Sequence, residues 1–224
     1  MAHGINLMVF DMAGTTVEDA GQVPKAFNAA LAECDIRISE EQLAQIRGAS
    51  KREAIAELVR AYGKPAWQGR AETVYQTFVR HMANEFTAGV RALPGAEDAF
   101  RYLKDTGVKI ALTTGFDRDI ASLLLDALGW KTIADHFACG DDVPRGRPAP
   151  YLIYRSMEAV GIDNVHEVAT LGDTVLDLQA GYNAGVRLNM GTLSGAHGRS
   201  KMEREPHTHL LQSVADLPAL LRSM

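Results

Sequence analysis

Residues 6–16 read NLMVFDMAGTT, and this stretch decides the fold. Leu7 to Phe10 are apolar in sequence, with no helical period, so they predict a short strand buried on both faces. The run closes at Asp11 and meets Ala13-Gly14, where the chain turns. Three later runs repeat the pattern. Residues 108–113 (VKIALT) precede Thr114-Gly115, residues 168–171 (VATL) precede Gly172-Asp173, and residues 186–190 read VRLNM. Stretches of helical period separate them at 96–106, 117–128 and 151–160. This alternation predicts the α/β class, a parallel sheet flanked by helices. Ligands of such sheets sit beyond the carboxyl ends of the strands. Asp11, Thr114 and Asp173 all take that position, so three remote polar residues are expected to converge on one crevice.

Residues 18–88 interrupt the alternation and read as helical throughout. Ser39-Glu40-Glu41-Gln42 is a capping box that opens one helix, and Ser50-Lys51-Arg52-Glu53 opens another. Pro65 precedes a long polar helical stretch to about residue 84. The expected organisation is a core of 1–17 and 89–224 with a helical cap of 18–88 inserted after the first strand. Pro94-Gly95 marks the return to the core. The segment GTLSGAHGRSKMEREPHTH (191–209) reads as a polar loop, followed by an apolar last helix near 214–221. Tyr62, Trp67 and Tyr75 of the insert read as packing residues.

The 224 residues carry 23 Lys and Arg against 28 Asp and Glu, a formal charge of −5. With no basic excess, counterion release from nucleic acid is not available as a driving force. No apolar run approaches the roughly 18 residues of a membrane span. MAHGINLMVFDMAG leads straight into the first motif, so the expectation is a soluble, cytoplasmic protein with no nucleic-acid or membrane partner. Cys34 and Cys139 lack metal-site or scaffold spacing and read as buried thiols.

Four short segments can carry chemistry. Asp11, on a strand end, suits a nucleophile, a metal ligand or the cap of its own turn. Thr114-Gly115 suits a phosphoryl oxygen, although strands often end in Thr-Gly. Arg147, among the prolines of RGRPAP (145–150), can neutralise phosphate charge or be a solvated loop residue. Asp173 and Asp177, four apart, suit Mg²⁺ or an ordinary helix start.

In this order, DMAGTTVED, LTTGF, GDDVPRGRPAPYLIY and LGDTVLDLQAGYNAG resemble the four motifs of the haloacid dehalogenase superfamily, over nearly the whole chain. The resemblance is closest to the phosphonoacetaldehyde hydrolases (phosphonatases) and phosphonatase-like hydrolases. It implies a Rossmann-like core with a C1-type helical cap, and Mg²⁺ as cofactor. It implies Asp11 as nucleophile and metal ligand, with the Ala13 carbonyl, Asp173 and Asp177 completing the metal site. Thr114, Gly115 and Arg147 would hold the phosphoryl group. Attack by Asp11 on phosphorus would form an aspartyl-phosphate and divide one hard step into two.

Position 13 narrows the reading. Phosphomonoesterases of the superfamily usually carry there a second Asp that protonates the leaving alkoxide. Phosphonatase has Ala, as here, because an imine between the substrate aldehyde and a cap lysine accepts the departing electrons. Lys51 is the candidate. It follows Ser50 in the run Gly48-Ala49-Ser50-Lys51, which resembles the phosphonatase lysine segment. A helix N-terminus and closure over the crevice would both lower its pKa. Substrate anchoring or simple solvation are the other readings of Lys51. Departures from phosphonatase are Ala54 in place of a His, Phe116 in place of a Tyr, Ala20-Gly21-Gln22 in place of a cysteine segment, and a shorter chain after Gly191. Seven histidines (3, 81, 136, 166, 197, 207 and 209) could substitute, but no motif places one in the crevice. His207 and His209 alternate in an expected edge segment.

The expected function is therefore Mg²⁺-dependent hydrolysis of a small organophosphorus compound, C–P cleavage of a phosphonoacetaldehyde-like substrate. The alternative is a phosphomonoester phosphatase or phosphotransferase acting on a small phosphorylated metabolite. A binding protein without catalysis is a third reading, disfavoured by the full motif set. The stripe of Ile55, Leu58, Val59 and Tyr62 fits packing within the cap or, as the resemblance implies, a homodimer through it.

Overall fold

A computed structural model describes residues 4–46 and 49–224; His3 and Gly48, named above, lie outside them. The chain begins with β1 (Leu7–Asp11) and then runs through α1 (Gln22–Ala32), α2 (Glu40–Gln45), α3 (Lys51–Tyr62) and α4 (Ala71–Ala88). It returns through α5 (Ala96–Asp105), β2 (Lys109–Thr113), α6 (Arg118–Leu128), β3 (His136–Ala138) and α7 (Tyr151–Val160). It ends with β4 (Val168–Gly172), α8 (Val175–Ala184), β5 (Leu188–Thr192), α9 (Arg199–Met202), β6 (His209–Leu211) and α10 (Leu217–Arg222). The six strands form one parallel sheet in the order β3-β2-β1-β4-β5-β6. This is the parallel α/β sheet expected from the alternating runs, in the Rossmann-type arrangement that the family resemblance implies.

The double burial of β1 follows from its period of two. Met8 and Phe10 point into one apolar cluster, shared with Phe100, Leu112 and Trp130. Leu7 and Val9 point into the other, shared with Ile153, Met157 and Ala180. Four apolar residues and the strand-end Asp11, all buried, therefore leave no face of the strand in water. β1 is central, flanked by β2 and β4, and its register sets Asp11 beside Thr113.

Both predicted helix starts are present. Ser39 and Gln42 bond reciprocally at the start of α2, and the Ser50 hydroxyl accepts from the Glu53 amide at α3. Some boundaries differ from the sequence expectation. The stretch after Pro65 is a single turn at Pro65–Trp67 before α4 begins at Ala71. β5, the fourth run expected from sequence, spans Leu188 to Thr192, two residues later than VRLNM suggests. Of the two short edge strands, β6 falls in the edge segment expected around His207 and His209, whereas β3 was not expected, since three residues cannot establish a period. The 191–209 segment is not merely a loop, because it contains the end of β5, α9 and the start of β6.

α1 and α3 each pack on α4, and α4 also packs on α6. Phe116 bridges the two layers, lying 6.5 Å from the Phe78 ring and 6.1 Å from that of Phe86. Within the stripe on α3, Ile55, Leu58 and Val59 are buried in the single chain. Tyr62 is exposed rather than packed, and its hydroxyl accepts from Gln42 Nε2. Cys34 and Cys139 are free and buried, and burial pushes the Cys139 thiol up to about 12. Among the described residues no helix is long and apolar enough to cross a membrane.

Candidate active site

The crevice opens at the carboxyl ends of β1, β2 and β4. Asp11 ends β1, and residues 12–17 fold into a tight loop in which the Met12 carbonyl accepts from the amides of Thr15, Thr16 and Val17. This loop lies against Asp173, which follows β4. A Cβ on Gly14 would stand 2.3 Å from Asp173 Oδ2, and the φ of Gly14 is +90°, so only glycine fits. The Thr15 hydroxyl spans the two carboxylates, 3.4 Å from Asp11 Oδ2 and 3.3 Å from Asp173 Oδ1.

Arg147 enters from the loop before α7 and is almost wholly buried. Its Nη1 donates to Asp11 Oδ1 at 2.6 Å and its Nη2 to Thr113 Oγ1 at 2.6 Å. Its Nε pairs with Asp177 Oδ1 at 3.0 Å. The other oxygen of Asp177 accepts from the Thr174 amide and hydroxyl at the start of α8. Both Asp177 oxygens thus serve the guanidinium and the helix start.

Seven of the eight expected residues line one crevice: Asp11, Ala13, Lys51, Thr114, Gly115, Arg147 and Asp173. It has about 410 Å³ of empty space, part of it open to solvent. Asp177 lies behind Arg147 rather than on this wall. Asp19, Val23, Thr174 and Ala196 also line the crevice and were not foreseen. Ala196 comes from the stretch read as a polar loop, and its amide donates to Asp173 Oδ2 at 2.6 Å. His197, beside it, is buried and accepts from the Val175 amide through Nδ1. Gly195, just before Ala196, has no room for a Cβ, which would stand 2.1 Å from Asp173 Oδ2.

Lys51 reaches the crevice from the first turn of α3. Its side chain is buried, its Nζ donates to the Ala49 carbonyl at 3.1 Å, and it stands 5.5 Å from the centre of the Phe116 ring. Burial brings the Lys51 ammonium down to about 8, with Asp11 opposing that shift and Arg147 adding to it. Solvation is therefore not the state of this lysine. Phe116, which stands in place of a tyrosine, lies between α4 and this amine. The Thr114 hydroxyl accepts from the Phe116 amide and keeps its own proton to donate into the crevice. Ala54 is buried in the apolar cluster and offers no proton.

Burial raises the Asp11 carboxyl to about 6, against the pull of Arg147. Asp173 is pushed well above the usual carboxylate range by burial, then by the charges of Asp11 and Asp177. Two buried carboxylates sharing one hydroxyl favour a cation between them. Among the described residues no three His, Cys, Asp or Glu side chains form a metal cluster. The donor set is two carboxylates and the carbonyl of the tight loop at Ala13, all hard oxygens. That set fits Mg²⁺, which is held by few carboxylates and keeps several waters.

Comparison with known proteins bears on the family and the fold. The model of the haloacid dehalogenase-like hydrolases matches residues 5–185. A phosphonoacetaldehyde hydrolase of Hahella chejuensis is 28% identical over 205 residues, covering 85% of this chain and 69% of the relative. One from Bacillus cytotoxicus is 26% identical over 232 residues, covering 97% of this chain and 87% of the relative. The crystal structure of a phosphonoacetaldehyde hydrolase-like protein from Oleispira antarctica superposes with a TM-score of 0.83 at 18% identity, covering 98% of this chain and 92% of that one. The fold, the four motifs and the family match lead to one conclusion: this chain belongs to the haloacid dehalogenase-like hydrolases and is a hydrolase.

Proposed function

We propose that this hydrolase is Mg²⁺-dependent and breaks the C–P bond of a phosphonoacetaldehyde-like substrate, with residues 18–88 acting as a cap over a core of 1–17 and 89–224. The observation that carries the reading is Lys51: a buried amine of lowered pKa in the same crevice as Asp11, where position 13 is Ala. The names of the curated relatives support it. Thr114, Gly115 and Arg147 bind the phosphoryl oxygens. Asp11, Asp173 and the Ala13 carbonyl would hold Mg²⁺, which when bound offsets the charge between carboxylate and phosphoryl group. We assign Asp177 to holding Arg147 rather than to the metal, because its oxygens are engaged at 3.0 Å by Nε and at 2.5 Å by the Thr174 hydroxyl.

The neutral Lys51 amine adds to the substrate carbonyl carbon, and loss of water leaves a protonated imine. An Asp11 oxygen then attacks phosphorus. The C–P bond breaks and its electron pair moves into the imine, giving an enamine on Lys51 and an aspartyl-phosphate on Asp11. Because carbon leaves with its electrons delocalised, no acid is needed at position 13. Water attacks the aspartyl-phosphate and releases phosphate. The enamine takes a proton at carbon and hydrolyses to the aldehyde.

Borohydride added with phosphonoacetaldehyde tests this. The expected result is a reduced adduct on Lys51, detected by mass, in the wild type and none in Lys51→Arg, which keeps the charge but also loses phosphate release. No adduct, combined with rapid turnover of phosphate esters, would establish the phosphatase reading instead. Retained C–P cleavage in Lys51→Arg would make Lys51 an anchor.

A further inference from the structure

Next to Lys51, the insert is tied to the core by contacts that the chemistry above does not use. Arg52 Nε donates to Asp117 Oδ2 at 2.9 Å and its Nη2 to the same oxygen at 2.6 Å. Its Nη1 pairs with Glu72 on α4, and its guanidinium stacks 4.0 Å from the centre of the Tyr75 ring. Asp117 occupies the N-cap of α6, where an aspartate usually accepts from the amides of its own first turn. Here it makes no such bond, and the Arg118 amide goes to Asp141 Oδ1 instead. The buried Asp117 carboxylate is thus given to a residue 65 positions away in sequence.

One residue earlier, the Lys51 amide donates to the Gly115 carbonyl at 3.1 Å. The two segments are in direct contact, since a Cβ on Gly115 would stand 2.3 Å from the Ala49 carbonyl oxygen and 3.4 Å from Lys51 Nζ. The backbone bond fixes one point of the α3 terminus on loop 114–117. By itself that one bond does not constrain rotation about it. The fork from Arg52 to Asp117 supplies the second point and removes that freedom. A charge-assisted, two-nitrogen contact onto a buried carboxylate suits this task.

We infer that Arg52 and Asp117 form a latch that sets Lys51 Nζ in register with the Thr114-Gly115 loop, making Arg52 a positioning residue for the amine. The inference rests on the imine reading above. Phosphorus and the carbonyl carbon of the substrate are one carbon apart. The amine must therefore reach the carbonyl while the phosphoryl group stays on Thr114, Gly115 and Arg147. A helix end that can turn would bind the phosphoryl group equally well but bring the amine up misaligned.

The test compares wild type with Arg52→Ala, Arg52→Lys and Asp117→Asn. It measures the rate of borohydride trapping with phosphonoacetaldehyde, kcat for phosphate release, competition by inorganic phosphate, and the thermal midpoint. The expected result is a loss of about 100-fold in trapping rate and kcat in Arg52→Ala and Asp117→Asn, the scale of a misplacement near 1 Å. Phosphate should compete with unchanged affinity, and Arg52→Lys should recover part of the trapping rate. Wild-type trapping rates in Asp117→Asn and Arg52→Lys would overturn the latch. So would a loss of phosphate binding in parallel with trapping, which marks general damage. If Arg52→Ala does not fold, the other two variants decide the question. Absence of an adduct in the wild type would overturn the imine reading itself and the latch with it.

Discussion

Arg147→Met should destabilise the protein by about 3–5 kcal/mol at pH 8, the scale of breaking a buried ion pair from one side. The guanidinium is buried and meets Asp11 at 2.6 Å, Asp177 at 3.0 Å and Thr113 at 2.6 Å. Methionine fills much of the same volume, so the loss comes mainly from two carboxylates stranded out of water. It should shrink at pH 5. Asp11 is already raised from 3.8 to about 6, with Arg147 the strongest influence opposing burial. Without the guanidinium the folded value rises further, while the unfolded chain still ionises near 3.8. Between those two values the folded chain binds more protons than the unfolded chain, so stability falls as pH rises. The gap between variant and wild type therefore widens from pH 5 to pH 8. Urea unfolding in metal-free buffer at four pH values measures it, with an unchanged slope showing that the unfolded state is the same. A loss below about 1 kcal/mol at pH 8, the range of a surface pair, would refute the reasoning. An equal loss at every pH would refute it too.

Lys51→Met should abolish C–P cleavage while stabilising the protein by about 3 kcal/mol at pH 7, the equivalent of lowering the amine from 10.5 to about 8. The wild type carries that penalty fully below pH 8 and sheds it as pH rises from 8 toward 10.5, so urea midpoints of the two proteins should converge over that window; a constant difference would contradict the buried amine. Borohydride trapping in the wild type should rise with pH and level off near 8, and a rise continuing to pH 10 would place the amine in water. Gly115→Ala sets a Cβ 2.3 Å from the Ala49 carbonyl oxygen, so α3 must lift from the loop; kcat should fall by about 10²-fold, and unchanged kinetics would show that this contact does not matter. Adding Mg²⁺ should raise the melting midpoint of the metal-stripped wild type but not that of Asp173→Ala, and an equal rise in both would remove Asp173 from the metal site.

The strand pattern was readable because burial on both faces is written in consecutive residues, as at Leu7 to Phe10. The helix starts at Ser39 and Ser50 were readable because capping is a contact within three positions. The edge strand β3 was not, since three residues paired to a neighbour carry no period of their own. In the site, the motif residues at 11, 114, 147 and 173 were legible by type and spacing. What spacing did not show is that the Asp177 oxygens meet Arg147 and the Thr174 hydroxyl. Ala196 was invisible because it contributes a backbone amide, which any residue type carries.

By itself the amino-acid sequence determined the four longer strand runs with the helices between them, the helical insert and the four chemical segments, because each depends on side chains within a few positions of one another. Only the tertiary structure decided which of those groups share a crevice, how far burial lowers the Lys51 amine, and that Arg52 grips Asp117. Those outcomes depend on where distant segments meet and how much water they exclude, and neither quantity is encoded at any one position in the chain.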